Sequence, residues 1–192
     1  VLSGTLELAL KKVRSALGEW LLADARQQVP ALSLALMALL LALAAAAQWA
    51  WLEQELEESD ADFNILVSSI QLLSGQHGFE SWGNFPHEAD RLIRTIGSSG
   101  ARGVFVLSGD RHISEFSRRE PEAMPYALVD FTSSGLTHAY RRFKGEPNPD
   151  RVGEVVSRES FGVVLLDFPN REATFQMRAD GNAILQEITQ KY

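Results

Sequence analysis

The chain has 192 residues and a formal net charge of −7, and its 45% hydrophobic and 22% charged content is ordinary for a globular protein. Lys and Arg are dispersed apart from the short cluster Arg141, Arg142 and Lys144, which argues against a nucleic-acid groove. Cysteine is absent, so disulfides, thiolate metal sites and thiol nucleophiles are excluded, and any metal must be held by His, carboxylates, amides or water.

Leu6 to Leu22 repeats apolar residues at helical spacing, and Ala23 to Gln28 follows. After Pro30 comes Ala31 to Ala47, rich in Ala and Leu and free of charge. At about 1.5 Å per residue this run reaches roughly 25 Å, the short end of a membrane span. It starts too far from the N-terminus, without a clean basic flank, to read as a conventional secretory signal. Its high Ala content favours a helix buried against the segment before Pro30, a helical hairpin over residues 1–47, above a membrane anchor. Composition changes near residue 48, which sets a helical segment 1–47 before an α/β domain 48–192. Trp49 to Glu58 reads as an amphipathic helix with Trp49, Leu52 and Leu56 on one side, and the Ala/Leu run can continue straight into it.

Phe63 to Val67 reads as a buried strand ending at Ser68-Ser69. A long loop, Gln71 to Phe85, carries Gly75, Gly78, Gly83, His77, Glu80 and Trp82. Pro86 opens a helix with Leu92, Ile93 and Ile96 on its apolar face, and Gly97 to Gly100 ends it. Val104 to Leu107 is the next strand, completing a βαβ unit with a right-handed crossover expected. Tyr126 to Phe131 predicts a further strand, and Glu146 to Arg151 a surface connection. Phe161 to Phe168 and Ala173 to Arg178 predict a hairpin around Pro169-Asn170, and Ile184 to Ile188 a last strand. The fold class is therefore α/β, a mixed sheet with helices packed on it.

Chemistry concentrates at Leu107-Ser108-Gly109-Asp110-Arg111-His112. An apolar strand stops at Ser-Gly and is followed by a carboxylate and an imidazole, the position at which parallel strands present ligands and catalytic groups. Asp and His there can bind a divalent cation that activates water, or can simply cap a turn and pack. Ser108, Asp110 and His112 lie too close in sequence to form a nucleophile-base-orienter triad. Gly97 to Gly103 lacks the Gly-Lys-Ser/Thr ending of a phosphate loop.

Gln48 to Glu53, Ser68-Ser69-Ile70-Gln71, Glu80 to Pro86, Leu107 to His112, Thr132 to His138 and Phe161-Gly162-Val163 occur in this order. Together they resemble the carboxyl-terminal half of alkaline-phosphatase-D-like metallophosphatases, over roughly residues 48 to 190. The resemblance implies half of a calcineurin-like metallophosphoesterase fold, a β-sheet sandwich flanked by helices with a metal centre at the strand ends. It implies hydrolysis of phosphate mono- or diesters with divalent metal ions (calcium, iron, manganese or zinc). Asp110 and His112 match the family's Ser-Gly-Asp-X-His segment and are the expected metal ligands, with His112 alternatively binding phosphate or protonating the leaving group. Arg111, Gln71 and His138 are expected substrate contacts, each weighed against a purely structural role. The early Asp and Gly-Asp pair that the family brings in its amino-terminal half have no counterpart in residues 1 to 47. Three readings follow: a phosphatase incomplete in this chain, a non-catalytic module that oligomerises or meets a complementing chain through residues 1–47, and a membrane-anchored fragment. Location stays open.

Overall fold

The computed structural model describes residues 25–192, with side chains from residue 33 onward; the expected amphipathic segment Leu6 to Leu22 lies outside them. The chain divides into two units, Val1–Leu52 and Glu53–Tyr192. The first described element, α1 (Ala25–Glu57), is one continuous helix. The helix runs through Pro30 without a break, and the first arm of the helical hairpin expected over residues 1–47 lies outside the described residues. Pro30 removes a single i→i−4 hydrogen bond, and the Ala/Leu run behind it propagates the helix strongly enough to carry through. Burial of the apolar run is corrected: Leu34, Leu36, Met37, Leu39, Leu40, Leu41 and Leu43 are each 54–66% exposed. At the helix end the expected stripe holds, with Leu56 buried and Trp49 and Leu52 half-buried.

The second unit holds two sheets. The larger one has strand order β1-β2-β4-β3-β5, with β1 (Asn64–Val67), β2 (Val104–Ser108), β3 (Ser114–Arg119), β4 (Leu128–Ser133) and β5 (Arg151–Val156). β1, β2 and β4 run parallel, with Ile65 opposite Phe105 and Val106 opposite Asp130, while β3 runs antiparallel to both β4 and β5. Helix α2 (Pro86–Ser99) joins β1 to β2. It starts with Pro86 at a first-turn position, buries Leu92 and Ile96, and ends on Gly100 at φ 75. That left-handed cap is inexpensive for glycine alone.

The smaller sheet is the meander β6 (Phe161–Asp167), β7 (Glu172–Arg178) and β8 (Ile184–Lys191). Its hairpin turn is held by Asp167, which accepts from Asn170 N at 3.1 Å and Asn170 Nδ2 at 2.8 Å. The core lies between the sheets, where Phe105, Phe116, Val129 and Phe131 meet Ala173, Phe175 and Met177. Phe105 packs edge-on to Phe175 at 5.0 Å, and each such buried ring contributes about 1.5–3 kcal/mol. Gly162 lets β6 approach Phe131, since a Cβ there would sit 2.7 Å from the ring. β3 and β5 were not expected as strands. Ser-Glu-Phe-Ser-Arg-Arg carries only one apolar residue, and its polar alternate side chains pack into the protein rather than facing solvent.

Candidate functional site at the carboxyl ends of the parallel strands

The turns after β1, β2 and β4 converge at one end of the larger sheet. Ser68 N donates to Leu107 O at 2.9 Å, and Ser134 N to Ile113 O at 3.0 Å, tying the three together. The turn after β2 has an unusual backbone. Asp110 (φ 68) and His112 (φ 55) both sit in the left-handed region without being glycine. Such residues cost roughly 1–2 kcal/mol each and cluster at functional sites. The geometry sorts their side chains: Asp110 and His112 are exposed, while Arg111 between them is buried. Arg111 N donates to Gly109 O at 2.8 Å, and Tyr140 N donates to His112 O at 2.7 Å. That last bond draws in the loop after β4, so the exposed His138 ring lies 5.1 Å from His112, edge to face.

Arg111 was expected to contact substrate. Instead it points inward, donating from Nη2 to both carboxylate oxygens of Glu146 at 2.6 and 2.7 Å and lying 4.2 Å over the Phe79 ring. His77 lies in the same field. Burial, and then the Arg111 charge, hold its imidazole below the usual range against the opposing pull of Glu146 and Glu115. Gln71, the other expected substrate contact, is also buried: its Nε2 donates to Glu115 Oε2 and Thr132 Oγ1, each at 2.8 Å. The exposed rim therefore holds Asp110, His112 and His138, and Gln71 and Arg111 lie beneath it.

Gln71 belongs to a buried polar network. Asp130 accepts from Leu72 N at 2.7 Å, Leu73 N at 3.0 Å and Ser108 Oγ at 2.6 Å. Ser108 Oγ also lies 2.9 Å from Thr132 Oγ1, which connects to Gln71. Glu115 Oε1 takes donors from Arg151 Nε at 2.5 Å and Asn148 Nδ2 at 3.0 Å. Burial pushes the Asp130 carboxyl above the ordinary range, more than its three hydrogen bonds pull it down, and the Glu115 charge adds to the rise. Sequence reasoning missed Asp130, Glu115 and Glu146. The available signal was Asp130 itself, the lone charge inside the apolar run Ala127 to Phe131.

Trp82, weighed as a binding residue or as packing, donates from Nε1 to Ser68 Oγ at 3.0 Å, a structural bond at the end of β1. Among the described residues no three His, Asp or Glu side chains come together as a metal-binding group. A catalytic zinc is held by three protein ligands, and the described residues do not bring such a set together.

A mixed sheet faces a second sheet, and an exposed rim of Asp110, His112 and His138 lies at the ends of its parallel strands, which together define a two-sheet α/β protein. The family model of the PhoD-like phosphatases matches residues 41–177, and the chain belongs to that family. A solved structure of PhoD shares the fold with a TM-score of 0.57 at 21% identity, over 76% of this chain and 33% of that one. The chain thus spans a third of the length of that structure. No curated protein matches the chain.

Proposed function

We propose that residues 48–192 form the carboxyl-terminal part of a metal-dependent phosphatase, with residues 1–47 a separate helical segment, and that Asp110, His112 and His138 are this chain's contribution to its active site. Membership of a phosphatase family supports a phosphate ester as substrate. The observation that carries the assignment to this rim is the pair of left-handed residues Asp110 and His112 at the strand ends, with His138 drawn to 5.1 Å. Held outward by that backbone, the two imidazoles can donate to phosphoryl oxygens, and His112 can pass a proton to the leaving oxygen. Asp110 and His112 are also the donors this chain offers a divalent cation. The remaining ligands must come from outside the described residues, from further sequence or a complementing chain. Arg111 acts here as a positioning residue, since its guanidinium is already paired with Glu146.

The test is metal content together with hydrolysis of a chromogenic phosphate ester, on the full chain alone and mixed with the amino-terminal half of a PhoD-like phosphatase. The expected result is turnover near background and substoichiometric metal for the chain alone. Both should rise on mixing, and the gain should vanish in Asp110→Asn and His112→Ala. Stoichiometric metal with robust turnover by the chain alone would overturn the incompleteness. A gain on mixing that survives both substitutions would overturn the rim.

A further inference from the structure

We propose that α1 crosses a lipid bilayer, with the residues before it on the cytoplasmic side and the α/β unit on the opposite side. The inference stands independently of the phosphatase reading. From Gln27 through Leu52 the chain carries no Asp, Glu, Lys or Arg. All of this stretch lies within the single helix Ala25–Glu57, so at about 1.5 Å per residue it extends roughly 39 Å, enough for a hydrocarbon core of about 30 Å plus its interfaces.

The apolar surface has no preferred side. Leu34, Leu36, Leu39, Leu40, Leu41 and Leu43 spread over more than half the circumference, each more than half exposed, and Ala35, Ala38 and Ala42 fill the remaining arc. The 25-residue stretch Ser33–Glu57 is long and apolar enough to span a membrane, and none of its most apolar part is buried. A partner helix would need a narrow apolar stripe flanked by charges, whereas a helix apolar all round suits lipid.

The two ends differ in the way a membrane requires. Trp49 and Trp51 stand at the carboxyl end, at the depth where aromatic belts form. Lys11, Lys12, Arg14 and Arg26 precede the span, while no Lys or Arg follows it until Arg91. Glu53, Glu55, Glu57, Glu58, Asp60 and Asp62 crowd the far side instead. Basic residues stay with the anionic cytoplasmic leaflet, which sets the orientation.

The test uses the full chain expressed in bacterial cells and, after purification, reconstituted into phosphatidylcholine-phosphatidylglycerol vesicles. The chain should stay with the membrane through alkaline carbonate and float with the vesicles. Leu36→Arg combined with Leu40→Arg should lower the bound-to-free ratio at least ~100-fold. Because that variant can fail by misfolding, single cysteines in the naturally cysteine-free chain give a second reading. Glu57→Cys should react with an impermeant maleimide from outside intact cells, and Gln27→Cys only after permeabilisation. Release of the native chain by carbonate would overturn the proposal, as would its recovery as a detergent-free soluble oligomer, or labelling of both cysteines from the same side.

Discussion

Replacing Asp130 separates what its charge does from what its shape does. Its carboxylate is the sole acceptor given to Leu72 N and Leu73 N, and it also takes the Ser108 hydroxyl. Asp130→Ala leaves two buried amide donors unpaired, and at about 1–3 kcal/mol each the expected loss is roughly 2–6 kcal/mol. Asp130→Asn keeps one oxygen for both amides, while Ser108 can turn its proton toward Thr132, which lies 2.9 Å away. Its expected cost is within about 1 kcal/mol. The pH dependence supplies the decisive sign. The folded carboxyl has a raised pKa, so the unfolded chain loses its proton first. Asp130 therefore costs nothing below its unfolded pKa, and its penalty grows as pH rises through the window up to the folded pKa. Asn at this position removes that slope, so the variant should gain on the native chain as pH increases. Urea unfolding of the detergent-solubilised chain, followed by near-UV circular dichroism across acid to neutral pH, measures both effects. Equal losses for Ala and Asn, or an unchanged pH slope in the Asn variant, would refute the argument.

Two further outcomes follow from the site. Arg111→Met strands Glu146 and should cost about 3–5 kcal/mol by thermal denaturation, whereas Arg111→Met with Glu146→Leu should recover most of it, because the pair is nearly buried. Asp110→Gly should raise unfolding stability by about 0.5–1 kcal/mol while removing the carboxylate, since glycine adopts φ 68 without penalty; a fall in stability would show that the side chain holds the turn.

β2 and β4 were legible because burial on both faces leaves apolar runs, β1 and the β6-β7 hairpin as apolar runs although β1 leaves Ile65 and Val67 exposed, and α2 because Pro86 and Gly100 punctuate it. Asp110 and His112 were legible as a motif, but their left-handed backbone was not, because no residue type in that turn announces it. The inward turn of Arg111 was hidden for a related reason: between two left-handed neighbours it pairs with a glutamate 35 residues away in sequence. β3 escaped detection because Glu115 and Ser117 are buried by pairing with Gln71, Arg151 and Asn148. Polar satisfaction of that kind erases the period-two pattern on which strand recognition rests. Pro30 failed as a stop signal because one lost hydrogen bond is small beside the helix propensity of the residues after it.

Among the described residues β1 is a four-residue edge strand that pairs only with β2, and it leaves Ile65 46% and Val67 82% exposed. With neither a charge nor a proline to blunt it, that edge is a template on which any extended segment can add a further parallel strand. Its consequence is kinetic. Each newly made chain must reach its fold before a neighbour zips onto the same edge, so the yield of native protein should fall as the rate of synthesis rises.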